Sequence, residues 1–195
     1  MSVMLGGCAT NTAPVTNLYT INISCEIDQS SEIKAKPSKV IKVLKTKSSA
    51  AIMSRHILYQ EKDFAQNPYA HSRWSDTPNK MLDNLFLSCV NKSSIFNAVL
   101  PSDSKGKADF LLESRLTEFY HHVNSDGRSE GRVRLKFYLI ESKNGNVAAT
   151  NEFFSKVGST TLDAKGGVRA LSEASASIAL SLAKWLSSLD NLIIQ

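Results

Sequence analysis

No stretch of this 195-residue chain approaches the roughly 20 consecutive apolar residues that a helix needs to cross a bilayer, which excludes a helical membrane span. Cysteine is scarce. Cys8, Cys25 and Cys89 stand far apart, with no C-x-x-C pair and no matching histidine cluster, which argues against a structural zinc site. The nine glycines form no Gly-rich phosphate loop, and no nucleophile-elbow motif is present. Neither phosphoryl transfer nor serine-type hydrolysis therefore has its usual sequence basis. No internal repeat appears, so a repeat architecture is also excluded.

What remains is an ordinary globular composition, 42% hydrophobic and 21% charged. A chain of this length buries roughly 70% of its unfolded surface and supports one substantial core. Twenty-three Lys and Arg against eighteen Asp and Glu give a net charge of +5, which favours anionic surfaces without identifying them.

The N-terminus carries a more specific signal. Leu5-Gly6-Gly7-Cys8 resembles the lipobox at which a bacterial signal peptidase cuts before a lipid-modified cysteine. Small residues suit a narrow peptidase site, and the Cys8 thiol is the nucleophile that takes up diacylglycerol. Ala9-Thr10-Asn11-Thr12-Ala13-Pro14 is polar and aperiodic, as a tether would be. Fewer residues precede Cys8 than a secretory signal needs, which predicts an upstream start or a shortened chain. We therefore expect residues 1–17 to comprise a signal remnant, lipobox and tether, and residues 18–195 a single α+β domain.

Hydrophobic periodicity places the elements. Residues 18–23, 39–44 and 56–59 read as strands, and 28–38 as a polar loop. Thr77 followed by Pro78 forms an N-cap with proline in the first helical position. Met81, Leu82, Leu85, Phe86 and Cys89 then line one helical stripe. Residues 95–100 are a short apolar run stopped by Pro101, and 108–123 a long strand with one face partly wet. In 132–140, Val133, Leu135, Phe137 and Leu139 alternate with Arg132, Arg134, Lys136 and Tyr138, so one face is core and the other basic. Asn144-Gly145 marks a hairpin returning through 147–157. From Val168 to Leu189 apolar residues recur at helical spacing. The order is β-β-β-α-β-β-β-β-α, an α+β fold with an antiparallel or mixed sheet and two helices packed on one face.

Several of these segments together resemble one family, the ABC-type transport auxiliary lipoproteins, also called PqiC-type lipoproteins. The resemblance rests on the lipobox, on Tyr69-Ala70-His71-Ser72-Arg73-Trp74-Ser75-Asp76-Thr77-Pro78, on the helix with Leu82 and Leu85, and on Ile95-Phe96-Asn97-Ala98-Val99. It continues through the strands at 108–120 and 132–140 and the final helix with Trp185-Leu186. Arg73-Trp74, with Pro78 and a helix behind it, is its most specific element. The resemblance implies a non-catalytic accessory protein without a cofactor, anchored in the outer membrane through Cys8 and facing the periplasm. It also implies contact with an MCE-domain protein or other components of an ABC transport system that moves lipids or solvents, and a homo-oligomer by analogy. Ala9 in place of aspartate after Cys8 looks like outer-membrane sorting.

The remaining candidates carry two readings each. Tyr69, Arg73 and Trp74 form an interaction patch, or Trp74 is a core plug. Arg132, Arg134 and Lys136 meet an anionic partner, or they are the solvated side of a strand. Cys25 and Cys89 form a disulfide in an oxidising compartment, or Cys89 is a small core hydrophobe. His121-His122 would point to opposite faces of a strand and so not share a metal ion. Nothing in the sequence brings Asp76 and Glu118 together as paired acids. A nucleic-acid-binding module fits the charge, but Gly131-Arg132-Val133-Arg134-Leu135-Lys136-Phe137 lacks the paired stacking aromatics of an RNA-recognition strand. The alternative to the accessory protein is a periplasmic binder that holds lipid or a small ligand in an apolar cavity.

Overall fold

In a computed structural model of the protein, the structure describes residues 15–23, 25–26, 37–62, 64–189 and 192. The lipobox with Cys8, the tether and most of the loop expected at 28–38 lie outside the described residues.

Among the described residues, eight strands and two helices follow in the order β1 (Asn17–Tyr19), β2 (Val40–Val43), β3 (His56–Lys62), β4 (Ala65–Trp74), α1 (Pro78–Lys92), β5 (Ala98–Leu100), β6 (Phe110–Val123), β7 (Ser129–Glu141), β8 (Val147–Gly158) and α2 (Ala164–Ser187). All eight strands belong to one mixed sheet, and α2 packs on β6, β7 and β8 while α1 packs on α2, β2 and β5. The α+β class therefore stands, with one strand more than expected. That strand is β4. Only Ser72 and Trp74 along it are buried, so no period-2 pattern marks it. Among the described residues, its first seven positions have no strand on their outer side, because β1 pairs only with Ser72 to Trp74; Pro68 is tolerated there because it removes no donor that a described neighbour would need.

β6 organises the sheet. Along one edge it pairs antiparallel with β7, from Phe110↔Glu141 to Val123↔Ser129. Along the other it takes two short parallel partners, β2 at Phe110 to Leu112 and β3 at His121 and His122. A register shift between Leu116 and Glu118 leaves Thr117 as an extra residue. The shift inverts the phase of β6. Before it, Phe110, Leu112, Ser114 and Leu116 face the helices; after it, Phe119 and His121 do, and Glu118 turns to the outer face.

Between sheet and helices, aromatic rings form a chain. Phe86 of α1 meets Phe137 of β7 edge-on at 5.2 Å, Phe137 meets Phe153 of β8 at 5.9 Å, and Phe153 meets Trp185 of α2 at 6.4 Å. Gly131 of β7 permits the close approach of α2, since a Cβ there would lie 2.6 Å from the backbone of Ala170 and Leu171. Cys25 and Cys89 are joined in a disulfide, Cα to Cα 5.3 Å, which ties the segment after β1 to α1.

Two expected features take a particular local form. Thr77 occupies the N-cap of α1 ahead of Pro78, but its side chain makes no capping bond; Asp76 Oδ1 instead accepts from the Thr77 backbone N–H at 2.7 Å. The hairpin expected at Asn144-Gly145 forms between β7 and β8. Glu141 N–H donates to Asn146 and Gly145 N–H to Glu141, and Gly145 alone takes a positive φ, of 74°.

Candidate interaction surfaces

The residues singled out from the sequence fall into two groups on the sheet. On β4, Arg73 and Trp74 are neighbours in a strand and therefore face opposite ways. Trp74 is fully buried, with its indole 5.6 Å from the Phe119 ring. It supports the sheet and offers no surface to a partner. The half-buried Arg73 folds its guanidinium back onto the carbonyls of Tyr69 and Ser72, which fastens β4 near its junction with β1.

Tyr69 belongs to a polar knot beneath the N-terminus of α2. Its hydroxyl lies 2.7 Å from His121 Nδ1 and donates to the Leu162 carbonyl at 3.1 Å, so His121 Nδ1–H is the donor to the tyrosine oxygen in that arrangement. The Tyr59 and Tyr69 rings meet at 4.7 Å. Burial, reinforced by the nearby Asp163, pushes the Tyr69 phenol well above its ordinary value. Burial also pushes His121 below its ordinary value; neighbouring His122 adds to this and Asp163 opposes it. Gly167, in the first turn of α2, leaves room for the imidazole, since a Cβ there would sit 2.6 Å from Nδ1. Asp163 caps the helix by accepting from Gly166 N–H at 2.9 Å and from Thr161 Oγ1 at 2.6 Å.

The basic face of β7 is where the sequence placed it, although its charges are largely answered within the chain. Arg132 pairs with Glu130 at 2.7 Å, and Arg134 with Glu118 of β6 at 2.6 Å and Glu152 of β8 at 3.5 Å. The Thr117 bulge puts Glu118 on that face. Arg134 also lies 3.9 Å over the Phe154 ring, and Lys136 sits 5.3 Å from the Tyr138 ring with no ion pair among the described residues. The outcome is a half-buried ladder of alternating sign across β6, β7 and β8. Asp76 and Glu118 do not meet: Asp76 pairs with Lys80 at 3.4 Å, Glu118 with Arg134.

Two clefts open on the described surface. One of about 560 Å³ is lined by Glu61, His122, Val123, Asn124, Asp126 and Arg128. The other, of about 270 Å³, lies between β2 and α1 and includes Lys45, Asp76, Lys80 and Asp83. The first lining is mostly polar and charged, and the second also takes in Val43, Leu44, Leu87 and Pro101. Among the described residues, no three His, Cys, Asp or Glu side chains gather as a metal site, and no helix is long and apolar enough to cross a membrane. The sequence presents His121 only as a strand neighbour of His122 facing the other way; its place in the core follows from the bulge, for which a run of alternating residues gives no sign.

A mixed eight-stranded sheet backed by two helices, with a disulfide tying the segment after β1 to α1 and alternating charge on its outer face, defines a small α+β protein. The chain belongs to the family described as the ABC-type transport auxiliary lipoprotein component, whose model matches residues 19–183. The protein XCC0632 of Xanthomonas campestris has a similar fold, with a TM-score of 0.80 at 17% identity over 90% of this chain and 99% of that one. A second solved structure, of an uncharacterized protein, matches with a TM-score of 0.69 at 14% identity over 89% of this chain and 99% of that one. No curated protein matches the sequence.

Proposed function

We propose that the chain is a non-catalytic, lipid-anchored accessory subunit of a bacterial ABC/MCE-type envelope transport system that moves lipid or solvent between membranes. Residues 1–17 carry the anchoring signal, with Cys8 as the lipid attachment site, and residues 18–195 form one α+β domain on the periplasmic side of the outer membrane. The family match across residues 19–183 carries this reading. The Cys25–Cys89 disulfide supports it, because such bonds persist in oxidising compartments such as the periplasm. The domain acts through protein contacts on Arg132, Arg134, Lys136 and the edge of the Tyr69 and Arg73 cluster, and requires no cofactor. The binding-protein alternative would call for an apolar cavity, whereas charged side chains line both clefts described above in whole or in part.

The test is expression in a bacterium behind a lipoprotein signal sequence, comparing wild type with Cys8→Ala by N-terminal mass, membrane fractionation and crosslinking in the envelope. Diacylglycerol mass and outer-membrane recovery lost in Cys8→Ala, with a transport protein crosslinked to wild type, are expected. A wild type that is unmodified and soluble would overturn the anchored reading.

A further inference from the structure

β8 ends the sheet. It is 12 residues long, contains no proline, and among the described strands pairs only with β7. Ser159 N–H donates to the Ser129 carbonyl at 2.8 Å, and the ladder runs without a shift from Glu130↔Gly158 to Leu139↔Ala149. Alternation in an antiparallel pair then assigns the bonds to β7 to Phe153, Ser155 and Val157. Glu152, Phe154 and Lys156 turn their N–H and C=O groups out of the sheet. Their side chains share the outer face. Phe154, 39% exposed, is the large apolar residue among them.

A long open edge of this kind invites another strand, and a lone lysine on it would ordinarily deter one. Here the lysine is matched. If a second β8 lies antiparallel with Phe154 opposite Phe154, Glu152 of each chain falls opposite Lys156 of the other. Registers moved by two residues either way lose both charge pairs. Those moved by four set Glu152 against Glu152 or Lys156 against Lys156, which is unfavourable. Within its own chain Lys156 has no ion pair among the described residues and rests 5.1 Å from the Phe154 ring. The centre of the contact is two Phe154 rings, each backed by its own Arg134 guanidinium.

We propose that a second copy of this chain docks on β8 in this register, joining two sheets across a two-fold axis. The contact is independent of the transport reading, and either can fail without the other.

Sedimentation of the full chain tests it through charge. Lys156→Glu alone and Glu152→Lys alone each place like charges opposite and should weaken dimerisation at least about tenfold. Mixing the two variants restores both pairs in a heterodimer, as does the double exchange within one chain. Amide exchange on the wild type gives a second reading that needs no variant. The amides of Glu152, Phe154 and Lys156 should become protected as concentration rises, while those of Phe153 and Ser155 are protected throughout. A wild type that stays monomeric to about 100 μM, an oligomer indifferent to both reversals, or edge amides whose exchange ignores concentration would each overturn the proposal.

Discussion

Burial favours the neutral form of His121 against the opposing pull of Asp163, with Tyr69 on Nδ1 and no hydrogen-bond partner for Nε2 among the described residues. Its folded value lies below the unfolded 6.5, so the unfolded chain takes up this proton first. The stability contributed by neutral His121 is therefore complete above about pH 6.5 and declines as pH falls below it towards the folded value. Thermal melts between pH 8 and pH 5 should show this loss, and His121→Gln should flatten the slope; an unchanged slope would remove His121 as its source. Gly131 makes a second residue-level prediction. Its missing Cβ is what lets α2 lie against β7, so Gly131→Ala should destabilise by about 1–3 kcal/mol in urea unfolding, whereas the same change at Gly158, open to solvent, should cost far less.

At the scale of elements, β6, β7 and both helices could be read directly from periodicity, because each has one dry face and one wet one, and β8 from the hairpin signal at Asn144-Gly145. β4 could not, because it is wet on both sides for most of its length and carries Pro68. The basic face of β7 was legible, but its carboxylate partners were not, since Glu118 reaches Arg134 only because Thr117 is inserted into β6. Trp74 and Arg73 were chosen as a pair, yet neighbours on a strand diverge, and one of the two had to be core. The start of α2 hides a cap at Asp163 ahead of the periodic run from Val168. Asp163→Ala should lower stability by about 1 kcal/mol, and Asp163→Asn by much less, as measured by chemical denaturation. Equal losses in the two variants would mean that charge near Tyr69 matters more than capping.

For the whole molecule, the disulfide spans 64 positions of sequence and links a region outside the main helix–sheet contacts to α1. A closed loop of that size restricts the unfolded chain enough to contribute about 4 kcal/mol. Melting with and without reductant should reveal a loss of that order, and Cys89→Ala should reproduce it without reductant. Its existence was undecidable from the sequence, since two cysteines that far apart show nothing of their separation in space.

The position of β2 has a further consequence, in time. During synthesis β2 emerges long before its partners, Ala98 to Leu100 in β5 and Phe110 to Leu112 in β6. A run such as Val40-Ile41 with Val43-Leu44 is well suited to pairing with the wrong chain during that wait. Lys39, Lys42 and Lys45 punctuate it. Those charges guard the nascent strand until its own sheet is available.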